Sequence, residues 1–120
     1  MAFSPGFSKQ LSKYAFDNNI DLIPGVETPT DVLQATIYGH KILKFFPAEI
    51  SGGIKKLNFF KNIYPDISFI PTGGINNTNF INYLKVDNVI SVGASSILDS
   101  SKISNKDWNG INQDIMEHKN

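Results

Sequence analysis

Four short runs of apolar, β-branched and aromatic residues, at positions 20–24, 42–46, 67–71 and 89–92, constrain this chain more than any other feature. Their starts recur every 22 to 25 residues, which is the length of a βα unit. Each run is closed by Gly, Pro or another small residue. Between the runs the apolar residues fall at helical spacing: Leu11, Tyr14 and Ala15; Val32, Leu33 and Ile37; Ile54, Leu57 and Phe60, with Tyr64 near the end; Phe80, Ile81 and Leu84. Thr28-Pro29 supplies a capping hydroxyl followed by proline at the first helical position, and Asn77 or Thr78 offers a cap for the helix after position 76. A final helix over 105–118 would carry Trp108, Ile111 and Ile115 on one face, to pack on the outside of the sheet. Apolar strands alternating with helices predict an α/β fold with a parallel sheet under helices, either a barrel or an open doubly wound sheet.

The strand ends share a weak pattern: Phe3-Ser4-Pro5-Gly6, Ile23-Pro24-Gly25, Phe46-Pro47-Ala48 and Ile70-Pro71-Thr72-Gly73. Proline has no N–H for a ladder, so these prolines are expected to mark where pairing stops. Loops at this end are where α/β barrels carry their chemistry.

At 120 residues and 13.3 kDa the chain is expected to form one domain, over 1–120. Its 11 basic and 11 acidic residues cancel, which argues against nucleic acid as a partner. Every basic residue is lysine, so anions must be held by backbone N–H groups, hydroxyls or lysine rather than by a guanidinium fork. His40 and His118 are far apart and no cysteine is present, which gives a metal site little support. No apolar run approaches the ~20 residues that span a bilayer, and Met1-Ala2-Phe3-Ser4-Pro5 lacks the features of a signal peptide. A cytoplasmic protein with no metal, no cofactor and no membrane partner is expected.

Lys44 is the most informative residue, because Ile42-Leu43-Lys44-Phe45-Phe46 sets an ammonium inside an otherwise apolar strand. On a period of two, Ile42, Lys44 and Phe46 share one face and Leu43 and Phe45 the other. If the first face is a barrel interior, desolvation favours the free amine that attacks a ketone. The competing reading is a lysine whose ammonium snorkels past the strand end into water. Two further signals are Pro71-Thr72-Gly73-Gly74-Ile75-Asn76-Asn77 and Val92-Gly93-Ala94-Ser95-Ser96. Glycines let backbone N–H groups close on an oxyanion, and the loops after the last two strands of α/β barrels often share a phosphate. Both segments are also ordinary turn chemistry.

These residues carry a family resemblance. Phe3-Ser4-Pro5-Gly6, Leu22-Ile23-Pro24-Gly25-Val26, Lys44-Phe45-Phe46-Pro47-Ala48-Glu49 with Gly52-Gly53, Pro71-Thr72-Gly73-Gly74-Ile75 and Val92-Gly93-Ala94-Ser95 resemble, in order and spacing, the second half of the bifunctional 2-keto-3-deoxy-6-phosphogluconate / 4-hydroxy-2-oxoglutarate aldolases. The resemblance implies a class I aldolase in which Lys44 forms a Schiff base with pyruvate and Thr72 lies near the pyruvyl group. It implies that Gly73, Gly74 and Ser95 hold the substrate phosphate, and that Phe46 and Pro5 line the pocket. Ala94 and Ser96 stand where relatives often carry glycine and tryptophan. Glu49 reads as a structural or helix-start carboxylate.

The family fold is a (β/α)8 barrel, so the resemblance implies a partial barrel, with a remnant of strand four followed by strands five to eight. Strands one to three, the catalytic glutamate, an arginine and a threonine would lie elsewhere. Phosphorylated keto acid and pyruvate are the implied small molecules, with a homo-oligomer such as the family trimer, or a complementing N-terminal half, as the implied partner. Two alternatives stay open: another phosphate-binding barrel synthase or isomerase that forms no Schiff base, and a non-catalytic remnant or phosphate-binding module.

Overall fold

A computed structural model describes residues 1–93 of the chain. The elements run β1 (Ala2–Phe3), α1 (Lys9–Asp17), β2 (Leu22–Ile23), β3 (Gly25–Val26), α2 (Pro29–Ile37), β4 (Ile42–Phe45), α3 (Gly53–Ile63), β5 (Ser68–Pro71) and α4 (Phe80–Leu84). The expected final helix lies outside the described residues.

Every ladder is parallel. β1 pairs with β2, β3 with β4, and β4 with β5 in the register Ile42↔Ser68 to Phe45↔Pro71. Bridges Phe69↔Val89 and Thr72↔Gly93 carry the array on to the segment 89–93. Since only Pro24 separates β2 from β3, one extended segment pairs on one side with β1 and on the other with β4. Among the described residues spatial order thus follows chain order, without the reversal that a doubly wound sheet needs.

Local chemistry explains the helix starts. Ser8 accepts from the Leu11 N–H at the head of α1. Thr28 and Asp31 form a complete capping box around Pro29 at the head of α2, as Thr28-Pro29 led us to expect. α4 begins later than expected, at Phe80. The Asn76 side chain accepts from the N–H groups of Thr78 and Asn79 while Asn79 accepts from the Asn76 N–H, so an asparagine turn occupies 76–79 and neither Asn77 nor Thr78 caps the helix.

Pro5 ends its ladder as expected, the last bond running from the Ser4 N–H to the Ile23 carbonyl, but pairing continues past the other three prolines. The Pro24 carbonyl accepts from Lys44 at 2.9 Å, the Pro71 carbonyl accepts from Gly93 at 2.9 Å, and Ala48, directly after Pro47, donates to Thr72 at 2.8 Å. Successive residues of a strand bond to opposite neighbours, so a proline forfeits one donor while the ladder continues on either side of it.

The core lies between β3, β4, β5 and helices α2 and α3. Leu43, Phe45 and Phe69 are fully buried against Leu57 and Phe60. Phe60 meets Phe45 edge-on at 5.9 Å and stacks on Phe69 at 5.2 Å. A fully buried aromatic or aliphatic side chain of this kind stabilises by about 1.5–3 kcal/mol. In α1 the buried residues are Ser12 and Ala15, while Leu11, Tyr14 and Phe16 are exposed. That departs from the expected face, because Ser12 turns inward to bond His40 Nε2 at 2.9 Å. In α2, Val32 and Ala35 are buried and Leu33 and Ile37 are not.

Candidate functional site

The strand β4 divides its side chains as its pleat dictates. Leu43 and Phe45 go under the helices, and Ile42 and Lys44 emerge on the opposite, concave face. There they line a cavity of 490 Å³ with Met1, Phe3, Ile23, Ile70, Thr72 and the segment 90–93. Among the described residues, Lys44 is the only one in this apolar lining with a titratable side chain. Its Nζ lies 4.6 Å from the centre of the Phe46 ring, a cation–π distance. No carboxylate among the described residues pairs with it, since the ion pair there joins Lys61 to Asp87.

Thr72 follows β5 and borders the same cavity. Its backbone is fixed on both sides, by the N–H bond to Phe45 at 2.9 Å and by the carbonyl that accepts from Ala48. A Cβ on Gly93 would lie 2.6 Å from the Thr72 hydroxyl, so glycine permits this close approach.

Phe46 and Pro5 meet at a neighbouring cavity of 270 Å³, with Gly25, Glu27, Asp31 and Pro47. Gly25 is required there, since a Cβ would stand 2.3 Å from the Pro5 carbonyl oxygen. Pro5 therefore does not border the cavity of Lys44, and the Phe46 ring belongs to both surroundings.

Gly73 and Gly74 both take positive φ, +102° and +76°, in the loop after β5. This loop lies directly on the tail of the lysine motif. The Glu49 N–H donates to the Gly73 carbonyl at 3.2 Å, and a Cβ on Gly74 would come within 2.7 Å of Glu49 Cβ and Cγ. The Glu49 carboxylate in turn accepts from the Tyr83 hydroxyl and from the Asn79 amide, the latter at 3.3 Å. Burial pushes the Tyr83 phenol well above its ordinary value of 10.0, and the hydrogen bond to Glu49 and the carboxylate's charge push the same way. Tyr83 was unmarked in the sequence except by its place in a helical stretch. Ser95, with Ala94 and Ser96, lies outside the described residues.

No group of three or more His, Cys, Asp or Glu side chains able to hold a metal occurs among the described residues. No helix among them is long and apolar enough to cross a membrane.

The family described as "Aldolase: KDPG and KHG aldolase" matches residues 1–114. The chain is 38% identical over 105 residues to the 2-dehydro-3-deoxy-phosphogluconate aldolase of Pseudomonas aeruginosa, covering 88% of this chain and 48% of that protein. It is 36% identical over 110 residues to the KHG/KDPG aldolase of Escherichia coli K12, covering 92% and 52%. The chain thus spans about half the length of the curated relatives it matches. Among solved structures it resembles the KDPG aldolase of Legionella pneumophila, in which pyruvate is captured as a covalent carbinolamine. That likeness has a TM-score of 0.80 and 36% identity, covering 98% of this chain and 57% of that one.

Proposed function

The chain belongs to the KDPG and KHG aldolase family, and we propose that it carries the Schiff-base part of a class I aldolase site, with Lys44 as the nucleophile. The observation that carries this reading is the placement of Lys44 as the one titratable side chain, among the described residues, on a concave apolar face. An amine there is shielded on one side by the Phe46 ring and faces a cavity large enough for a keto acid.

The neutral amine adds to the C2 ketone of 2-keto-3-deoxy-6-phosphogluconate or 4-hydroxy-2-oxoglutarate, giving a carbinolamine. Loss of water leaves an iminium, which accepts the electron pair of the C3–C4 bond as that bond breaks. The C4 hydroxyl proton goes to a base and the aldehyde departs, as glyceraldehyde 3-phosphate or glyoxylate. The resulting enamine takes a proton at C3, and hydrolysis of the iminium returns pyruvate and Lys44. Thr72 borders the pyruvyl end, Phe46 and Pro5 shape the approach, and Gly73, Gly74 and Ser95 hold the phosphate.

The chain is read as part of a (β/α) barrel wall in a single domain. The sequential parallel order of the strands and the half-length match to its relatives support this. The concave face would be closed by a complementing N-terminal half or by association of copies. A site without a positioned general base loses a factor of roughly 10² to 10⁴ in proton transfer, so the chain alone should form the iminium far better than it turns over.

Incubation with pyruvate and borohydride tests the reading. A reduced adduct should form on the chain and vanish in Lys44→Met; absence of adduct on the parent chain, or its persistence in the variant, refutes it. An unlabelled but folded chain would favour a non-catalytic remnant.

A further inference from the structure

The lysine strand and the double-glycine loop could have been joined by backbone pairing alone, yet a side-chain cluster fastens them from behind. Glu49 closes the motif that begins at Lys44, and its side chain lies under Gly74 so closely that any Cβ there would overlap it. Its two carboxylate oxygens are bound separately, Oε1 by Asn79 and Oε2 by Tyr83. Asn79 also donates to the Gly74 carbonyl at 3.0 Å, so one amide ties the carboxylate and the loop together. Gly53, at the start of α3, brings its Cα so near that a Cβ would lie 3.0 Å from both Glu49 Oε2 and the Tyr83 hydroxyl. Tyr83 is itself fully buried, and the bond it makes spans 34 residues. Glu49 is itself exposed, yet its carboxylate is held by two donors, one of them the buried Tyr83, and charge-assisted hydrogen bonds are the strong ones.

We infer that Glu49, held by Tyr83 and Asn79, is a positioning residue: it fixes the loop of Gly73 and Gly74 against the lysine strand and so sets affinity for the phosphate end of the substrate. This rests on the reading of that loop as a phosphate cradle. Glu49 touches neither substrate nor reacting atoms. Its effect travels through the loop backbone, whose N–H groups would otherwise be free to turn from the anion. The consequence is a division of labour: the carboxylate governs binding of the phosphate end, and Lys44 governs covalent capture of the pyruvyl end.

The test reads both ends on the same protein. Inorganic phosphate is titrated by ³¹P NMR, and Lys44 is labelled with pyruvate and borohydride, in the parent chain, Tyr83→Phe, Glu49→Ala, Glu49→Gln and Tyr64→Phe. Tyr64→Phe is the control, since it removes a hydroxyl that donates to the Pro29 carbonyl at 3.2 Å, on the far end of α3. Tyr83→Phe should weaken phosphate about tenfold, in line with loss of one hydrogen bond to a charged group. Glu49→Ala should weaken it further, Glu49→Gln should recover part of the loss, and pyruvate labelling should stay within about twofold throughout. Equal phosphate affinity in Tyr83→Phe and the parent chain overturns the inference. So does an equal fall in Tyr64→Phe, or a joint loss of phosphate affinity and labelling, either of which marks a general structural role. A parent chain that binds phosphate but takes no pyruvate label defeats the aldolase reading and leaves the brace standing; one that takes the label but binds no phosphate defeats the cradle and the brace with it, and leaves Lys44 as the nucleophile.

Discussion

The two faces of β4 differ in everything except their backbone. On the helix side, Leu43 and Phe45 have no exposed surface, and Phe60 locks Phe45 to Phe69. On the other, Ile42 and Lys44 border an open cavity whose polar groups are few. One alternation of period two thus places the packed side chains on one side and Lys44 on the other. A charged residue is tolerable in such a strand only because its face is not the one that packs.

The largest effect should come from the packed face. Phe60→Ala removes the ring that joins β4 to β5 and should cost about 3–5 kcal/mol in urea unfolding. A loss below about 1 kcal/mol would break the contrast. Next is Gly74→Ala, which combines a positive φ with a Cβ 2.7 Å from Glu49. It should cost about 1–3 kcal/mol, read from the same unfolding curves. On the open face, Lys44→Met should shift unfolding by less than about 1 kcal/mol while abolishing capture of pyruvate.

Two smaller effects depend on pH. The folded chain holds the Tyr83 proton beyond pH 10.0, so that contribution to stability is complete below about pH 10 and is lost as pH rises above it. Tyr83→Phe should flatten the alkaline fall in melting temperature. His40 behaves oppositely. Burial lowers its pKa below the ordinary 6.5, partly offset by a backbone hydrogen bond with Leu22. Its contribution is therefore complete above about pH 6.5 and is lost as pH falls through the lowered value. His40→Gln should remove part of the acid sensitivity of the melting temperature, and an unchanged acid limb would show that protonation of the partly buried imidazole does not drive it.

What the sequence disclosed follows the same division. The face that Lys44 occupies was legible from the alternation of its strand, and the α2 cap was legible because Thr28 and Pro29 are adjacent in the chain. The exposed face of α1 misled, since Leu11 and Tyr14 look like core and a serine occupies an inward position beside Ala15. The continuous strand through Pro24 was hidden, because losing one donor reads in sequence as the end of a ladder. Glu49 was readable as a structural carboxylate, but its bond to Tyr83 crosses 34 residues and leaves no local trace. The late start of α4 came from asparagine side chains competing with the helix for backbone N–H groups.

The most direct measurement is a peptide map, by mass spectrometry, of the chain reduced by borohydride in the presence of pyruvate. With 11 lysines present, the account predicts one modified residue, Lys44, at pyruvate concentrations that leave the others untouched. Modification spread evenly over the surface lysines, or centred on any residue other than Lys44, would contradict it.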